Sequence, residues 1–421
     1  MKGKRMLATL LAAMIACGSV ATTASVVSAA ETTAMVAAQA VSASNLLPTD
    51  VTTPSSGCML VGIQGDFIAD SKAALKRINE IRYEACKEGV TNPSTGTQLT
   101  VKDYIPIKWS SDLEYIARIR AVEASAYLAH VRPNGTICFT LSSPNGVGSF
   151  GEVLAWNWST SMVPGIEQWY SEKEIWVNGG SGETGHYTQM IDPENLYVGL
   201  GTFCTTNTMY YNTTCGEFSS YPNLKETMGA AKKGITQTIE IPESAMTKVT
   251  LSGKKQLEQG KATRLTLNGI ANLSTECIVT VLDSITWKSS NPKVVSVDQT
   301  GKIKRLASGT ATITATTANG KKATLKITER LLAPTVTAQA STIGIKLTWK
   351  SIKGSSGYAV YRSGSKTGSY KKIGATKGTS STAYRDKTVT TGKRYYYKVK
   401  ALGGNGLATS AAGTAVSAVA K

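Results

Sequence analysis

The clearest pattern of apolar and polar positions in the chain lies between Ser71 and Gly89. Apolar side chains recur there at helical spacing, which places them on one face of a helix: Ala74, Leu75, Ile78, Ile81, Ala85 and Cys86. Gly89 follows the last of them and is a typical helix stop. The pattern predicts an amphipathic helix from Ser71 to Gly89.

A second helix is predicted from Ser111 onward. Ser111 and Glu114 form the pattern of a capping box, in which each side chain can satisfy the other residue's backbone amide. One apolar face follows: Leu113, Ile116, Ala117, Ala121, Ala124 and Leu128. Pro133 then favours a turn. The helix is therefore predicted to end near His130, with that histidine at the mouth of a loop.

Shorter segments complete this first domain. Residues 151–157 and 166–176 have patterns that favour helices, whereas residues 187–191, 197–203 and 209–218 favour strands. The last two strands are predicted to form a hairpin about residues 206–208. Helices around a small antiparallel sheet predict an α+β domain, an α-β-α sandwich, over residues 66–225.

Strand-like alternation replaces the helical pattern in the rest of the chain. Apolar and polar residues alternate in stretches such as those within residues 285–316 and 395–401, as they do in half-buried strands. Two all-β domains are predicted, at residues 246–329 and 330–421. The fold class is therefore multidomain, with one α+β domain followed by two β-sandwiches.

The N-terminus has the organisation of a secretory signal peptide. Basic residues precede an apolar run from Met6 to Ile15, and small residues follow as far as Ala30. This predicts export, with cleavage near Ala29 or Ala30. A membrane anchor and a lipid-modified Cys17 are the alternatives. Residues 31–65 and 226–245 are predicted to be linkers because of their composition.

Six cysteines remain after removal of residues 1–30: Cys58, Cys86, Cys138, Cys204, Cys215 and Cys277. An exported chain can oxidise them, but the sequence does not fix a connectivity, and no bridge is assigned. Cys277 is predicted to lie in a different domain from the other five, which would leave one thiol without a partner in its own domain.

Charge divides the chain into two unlike parts. Residues 245–421 contain 29 Lys or Arg and 6 Asp or Glu, whereas the preceding residues contain 17 and 22. On an exported protein such an excess predicts an anionic partner, either a cell-wall polymer or a membrane surface. A solvated lysine-rich surface that prevents pairing of strand edges is the alternative. Nucleic acid is not expected, because no binding motif is present.

The chain has only two histidines, His130 and His186, and both lie in the predicted α+β domain. Histidine is the side chain best suited to bind a metal or to move protons near neutral pH. Four short motifs surround or follow these residues: Gly151-Glu152, Trp-Tyr-Ser-Glu172, Gly-His186-Tyr-Thr-Gln and Val-Gly-Leu-Gly201.

These motifs resemble the CAP superfamily, which comprises the cysteine-rich secretory, antigen 5 and pathogenesis-related proteins. The resemblance implies that two histidines and two glutamates converge in a central cleft: His130, Glu152, Glu172 and His186. Two imidazoles and a carboxylate can hold Zn²⁺ or another divalent metal while the remaining carboxylate orients an imidazole. Alternatively, the four side chains stabilise the cleft without metal.

The two tail domains also resemble known modules. Trp287, the following Ser-Ser-Asn-Pro292 and Gly-Thr-Ala-Thr-Ile313 resemble a bacterial immunoglobulin-like domain of the intimin type (group 2). Residues 330–421 resemble a fibronectin type III domain, with Tyr395 placed as the residue of a tyrosine corner. Such modules usually serve as spacers or adhesion surfaces.

The favoured function is that of a secreted or surface-associated binding protein whose cleft takes a divalent metal or a small or lipid-like ligand. A metal-dependent extracellular hydrolase and an adhesin that acts through the basic tail are the alternatives. Whether the protein is an enzyme is left open, because the sequence contains neither a Gly-x-Ser-x-Gly motif nor an HExxH helix.

Overall fold

The computed structural model of the protein describes residues 45–404 and 406–421. The predicted signal peptide, Cys17 and residues 31–44 of the first predicted linker lie outside the described residues. Among the described helices, none combines the length and the apolar character needed to cross a membrane.

Five α-helices and seven strands are described in the first domain. The helices are α1 Ser71–Glu88, α2 Ser111–Ala126, α3 Val163–Tyr170, α4 Lys173–Asn178 and α5 Gly185–Ile191. The strands are β1 Leu46–Leu47, β2 Cys58–Phe67, β3 Lys108–Trp109, β4 Gly151–Asn157, β5 Tyr197–Cys204, β6 Asn212–Ser219 and β7 Lys232–Pro242.

Helix α1 matches its prediction closely. Its buried face includes Ala74, Ile78, Ile81 and Ala85, and the chain leaves the helix at Gly89 with a φ of 68°. A left-handed residue at this position is the common way to end a helix, and glycine adopts it without steric cost.

Helix α2 begins as predicted but is capped differently and ends earlier. Ser110 is the N-cap and accepts a hydrogen bond from the backbone N–H of Leu113, at 3.4 Å. The predicted capping box is therefore wrong, because the Glu114 carboxylate instead accepts from the indole of Trp109. The helix ends at Ala126, so His130 lies in the following loop and not at a helix terminus.

Two other segments were assigned to the wrong type of element. Residues 151–157 form strand β4, which is paired with β6 along its whole length. Residues 187–191 belong to helix α5 and not to a strand. Both segments are short, and periodicity alone does not separate a buried strand from a buried helix of that length. The predicted helix 166–176 is interrupted at Ser171 and Glu172, between α3 and α4.

The sheet of the first domain lies between two layers of helices. Strands β4, β6, β5 and β2 are neighbours in that order, and β5 and β6 form the predicted hairpin. Val198 and Leu200 on β5 belong to the core formed with α1, α3 and α5. Gly199 and Gly201 face α2, where an added Cβ would lie 2.1 Å from the Glu114 nitrogen and 2.4 Å from the Arg118 nitrogen. The Val-Gly-Leu-Gly motif therefore allows α2 to lie directly on the sheet, and the α-β-α sandwich is confirmed.

Both predicted linkers contain strands. β2 occupies the end of the first linker, and β7 occupies most of the second. These two strands pair antiparallel from Cys58 opposite Pro242 to Phe67 opposite Lys232. The linker prediction for this segment rests on Gly229, Lys232-Lys233-Gly234 and Pro242. It is wrong for β7, because Ile235, Ile239 and Ile241 are buried and isoleucine favours strands.

The second domain is built from ten strands: β8 Met246–Ser252, β9 Gln256–Leu257, β10 Ala262–Arg264, β11 Thr266–Asn272, β12 Glu276–Val281, β13 Thr286–Ser289, β14 Val295–Val297, β15 Lys302–Arg305, β16 Ala311–Thr316 and β17 Lys322–Glu329. β12 pairs with β2 at Thr280 opposite Gly62 and Val281 opposite Val61. The sheet of the first domain therefore continues into β12, β11 and β8.

The third domain is a sandwich of seven strands: β18 Val336–Ser341, β19 Gly344–Trp349, β20 Gly357–Ser363, β21 Lys371–Lys377, β22 Ala383–Asp386, β23 Arg394–Leu402 and β24 Val416–Val419. One sheet has the order β18-β19-β22 and the other β21-β20-β23-β24. The Tyr395 hydroxyl accepts a hydrogen bond from the backbone N–H of Thr390 at 3.1 Å, as expected for a tyrosine corner.

The described cysteines are all free thiols. Cys277 lies on β12 of the second domain, and the other five lie in the first domain, as predicted.

Candidate functional site

His130 is bound to the edge strand β4 through Glu152. Its Nδ1 lies 2.8 Å from Oε1 of Glu152. The His130 side chain is 53% exposed, whereas that of Glu152 is fully buried. Burial by itself raises the pKa of Glu152, but the hydrogen bond with His130 and the Arg120 guanidinium together bring that pKa below its ordinary value. Because an ionised carboxylate only accepts hydrogen bonds, Nδ1 carries the proton, and Nε2 of His130 has no hydrogen-bond partner among the described residues.

Arg120 on α2 holds both the carboxylate and the loop that follows the helix. Its Nε and Nη2 donate to the two oxygens of Glu152 at 2.5 and 3.1 Å. Nη2 also donates to the carbonyl of Ala129 at 3.1 Å. On the other side of the loop, the backbone N–H of Leu128 donates to Oγ of Ser274 in the second domain at 2.9 Å. The loop that carries the first histidine is therefore fixed by two domains.

Arg120 belongs to a longer row of buried charges. Glu123 accepts from Arg120 at 2.7 Å and from Arg132 at 2.8 Å. Arg132 donates to both carboxylate oxygens of Asp50, at 2.7 and 2.8 Å. Each charge in the row has a neighbour of opposite sign, which compensates for the loss of solvation. The row connects the segment before β2 to the candidate site.

His186 is held in the same manner on the other side of the sheet edge. Its Nδ1 lies 2.5 Å from Oε1 of Glu172. Oε2 of Glu172 accepts from the backbone N–H groups of His186 and Tyr187 at 2.9 and 3.1 Å. Glu172 therefore satisfies the free amides at the start of α5 and orients the imidazole with the same carboxylate. Within residues 45–404 and 406–421, Nε2 of His186 also has no hydrogen-bond partner.

The two imidazole rings face each other. Their centroids are 6.0 Å apart and their planes differ by 29°. Gly151 lies close to α5, where an added Cβ would be 2.2 Å from Oε1 of Gln189. Its neighbour Glu152 binds His130 in the loop that follows α2.

The four predicted residues come together as two histidine–glutamate pairs. The donors that remain available are two imidazole Nε2 atoms, because both carboxylates are occupied by hydrogen bonds within the protein. Imidazole nitrogen is a preferred ligand of Zn²⁺, so His130 and His186 would be the ligands of a metal bound here and the glutamates would orient them. Whether the site binds metal stays a prediction.

A second group of buried polar side chains lies behind Glu152 and was not found from the sequence. Cys215 and Glu217 on β6 face the same side as Glu152, and Glu152 pairs directly with Glu217 across the ladder. Sγ of Cys215 lies 3.4 Å from Glu217 and 3.8 Å from Glu152. Among the described residues, these three form a group whose donor atoms all lie within 4.8 Å of one another.

Glu217 differs from Glu152 in having no cation of its own. Burial, and then the charge of Glu152, raise the pKa of Glu217 well above its ordinary value. Burial also raises the pKa of the Cys215 thiol. Both shifts favour the protonated, uncharged form of the group. Alternation along β6 places the two side chains on one face, but only the register with β4 brings them to Glu152.

Comparison with known proteins agrees with the architecture. Residues 75–216 match the family model of the cysteine-rich secretory protein family, CAP. Residues 245–327 match the family model of the bacterial Ig-like domain, group 2. The chain therefore contains a CAP domain followed by a bacterial Ig-like domain.

Three relatives illustrate how far the similarity extends. "Venom allergen 5 2" of Polybia paulista is 25% identical over 162 residues, which cover 36% of this chain and 74% of that protein. Lacto-N-biosidase of Bifidobacterium bifidum is 56% identical over 45 residues, which cover 11% of this chain and only 4% of that protein. A solved Fn3-like protein from Clostridium thermocellum is 32% identical, covering 21% of this chain and 90% of that chain with a TM-score of 0.19.

Proposed function

We propose that this chain, in which a CAP domain is joined to a bacterial Ig-like and a fibronectin type III domain, is an exported protein that binds a divalent metal between His130 and His186. One observation carries the proposal. Each imidazole donates its Nδ1 proton to a buried or half-buried glutamate, which leaves two Nε2 atoms on facing rings. Zinc is the first candidate, because imidazole nitrogen is among its preferred ligands.

The glutamates orient the site and do not ligate the metal. Glu152 and Glu172 fix the tautomer and the direction of the imidazoles, which is the usual role of a carboxylate beside a metal-bound histidine. A bound Zn²⁺ would supply a Lewis acid with positions open to water or to an anionic ligand. Catalytic zinc sites normally have three protein ligands, so two imidazoles favour a binding role over hydrolysis.

Zinc titration calorimetry on the full exported chain tests this proposal. We expect one saturable binding event that is lost when His130→Ala and His186→Ala are combined. Cys215→Ala is the matched control, because it removes a donor from the Glu152–Cys215–Glu217 group and leaves both histidines intact. Zinc binding that survives the double histidine substitution, or that disappears in the cysteine variant alone, contradicts the proposal.

We further propose that the two tail domains hold the protein at a polyanionic cell surface. The excess of basic residues in 245–421 supports this proposal, because few of the described cations are neutralised by ion pairs within the segment. In the described part of this segment, Arg362 with Asp386 is the single ion pair formed. CAP and bacterial Ig-like domains are typical of extracellular proteins, which agrees with the export predicted for the N-terminus.

A further inference from the structure

Four cationic side chains surround one cleft where the bacterial Ig-like domain meets the third domain. The cleft has a volume of about 600 Å³ and is lined by Lys254, Lys255, Lys261 and Arg330, together with Gln256 and Leu257 and one carboxylate, that of Glu258. The lining therefore carries a net positive charge even though an acidic residue takes part.

The three lysines of this cleft are exposed and make no ion pair within residues 45–404 and 406–421. The Arg330 guanidinium donates to the side-chain oxygen of Gln256 at 3.1 Å. Its buried Nε has no hydrogen-bond partner among the described residues. The cationic groups of the cleft are thus not neutralised by the protein itself.

Hydrogen bonds between strands fix the backbone that carries these side chains. β9 pairs parallel with β17, with Gln256 opposite Thr328. The carbonyl of Lys255 accepts from the N–H of Thr328 at 2.9 Å, and the N–H of Arg330 donates to the carbonyl of Leu257 at 2.9 Å. Lys261 accepts from the N–H of Arg305 at 3.0 Å. The backbone that carries the cations therefore needs no reorganisation when an anion binds.

We propose that this cleft binds a phosphate group of a phosphodiester polymer. Lysine ammonium groups bind phosphate as point charges, and arginine adds planar donors that match phosphate oxygens. The concave shape favours a flexible chain that can enter it over a flat membrane surface. The inference rests on the proposed role of the tail in surface attachment and places that role at a defined site.

Binding of the full exported chain to immobilised poly(glycerol phosphate), measured as a function of salt, tests the inference. The test variant combines Lys254→Gln, Lys255→Gln and Lys261→Gln, and leaves the partly buried Arg330 unchanged. The matched control combines Lys371→Gln, Lys372→Gln and Lys377→Gln on β21, which removes the same charge from exposed positions of the third domain. Vesicles rich in phosphatidylglycerol serve as the second probe.

We expect the cleft variant to bind the polymer about tenfold more weakly and with a shallower salt dependence, because fewer phosphate contacts release fewer counterions. The control should stay within about twofold of the wild type, since it lacks those contacts. Equal losses of affinity in both variants would contradict binding in the cleft, but would agree with attachment through the overall positive charge of the tail. Failure of the wild-type chain to bind would overturn both, and binding only to vesicles would overturn the polymer as ligand.

Discussion

Glu152 and Glu217 lie directly opposite each other on β4 and β6, yet only one of them has a cation. Glu152 is bound by Arg120 and His130, whereas Oε2 of Glu217 has no hydrogen-bond partner among the described residues. Two buried carboxylates that lie opposite each other on paired strands repel each other if both are charged. The pair is therefore one carboxylate and one carboxylic acid, and the carboxylate is the one that holds the histidine.

The neutral state of Glu217 predicts a stability that depends on pH. Its pKa in the folded protein is raised above the ordinary value of 4.5. Above that pH the unfolded chain releases the proton while the folded chain keeps it, so the contribution of Glu217 to stability is lost as the pH rises. Glu217→Gln removes this dependence. The variant should gain on the wild type by up to about 1.4 kcal/mol for each pH unit above 4.5, until the folded-state pKa is passed.

Urea unfolding of the two proteins at several pH values between 4.5 and 8 measures this difference. Glu174→Gln is the matched control, because Glu174 is exposed and should follow the wild type at every pH. Glu152 does not confuse the measurement, since its lowered pKa affects stability only at more acidic pH. A constant offset between wild type and Glu217→Gln would show that Glu217 is ionised in the folded protein.

Among the charged residues of the first domain, Arg120 is predicted to be the one whose substitution lowers the stability of the fold most. Arg120→Met leaves Glu152 and Glu123 buried without this shared cation. Breaking a buried ion pair from one side costs about 3–5 kcal/mol, and the loop before His130 also loses its bond to Ala129. Lys108→Met is the comparison, because the ion pair of Lys108 with Glu226 is exposed on both sides.

Chemical denaturation of these two variants distinguishes a buried network from a surface pair. Arg120→Met should unfold at a much lower denaturant concentration, and Lys108→Met should remain close to the wild type. Similar, small changes in the denaturation midpoint of the two variants would mean that Glu123 and Glu152, the carboxylates bound by Arg120, are not buried as described.

Gly199→Ala should be strongly destabilising. A Cβ at this position would lie 2.1 Å from the backbone nitrogen of Glu114, so α2 would have to move away from the sheet. Overpacking of this kind typically costs about 1–3 kcal/mol and occasionally more. At Gly148 an added Cβ has no neighbour within 4 Å, and Gly148→Ala should leave the thermal unfolding midpoint nearly unchanged. Equal midpoints for the two variants would contradict the close contact of α2 with β5.

Long regular patterns were the part of the fold that sequence reasoning predicted best. The apolar face of α1 extends over 18 residues, which is enough for the helical period to be unambiguous. β4 has only 7 residues, and an apolar run of that length is compatible with a helix or with a strand. Helix α5 also has 7 residues and is supported at its start by Glu172, a tertiary contact that no local pattern shows.

The sequence predicted which residues form the candidate site, but not the contacts that hold them in place. The motifs indicated His130, Glu152, Glu172 and His186, and the structure brings these four together. The roles of the glutamates depend on contacts with residues distant in sequence. Arg120 and Glu217 gave no signal, because their burial follows from the packing of α2 on the sheet and from the β4–β6 register.

The central claim is that both imidazoles keep the proton on Nδ1 and present Nε2 to a metal. Because the chain has only two histidines, long-range ¹H–¹⁵N NMR spectra of the full exported chain report on these two rings alone. We predict that both rings are Nδ1–H tautomers without metal, and that added Zn²⁺ shifts both Nε2 resonances together while both Nδ1 protons remain. Nε2–H tautomers in the free protein, or resonances that do not respond to Zn²⁺, would contradict the account.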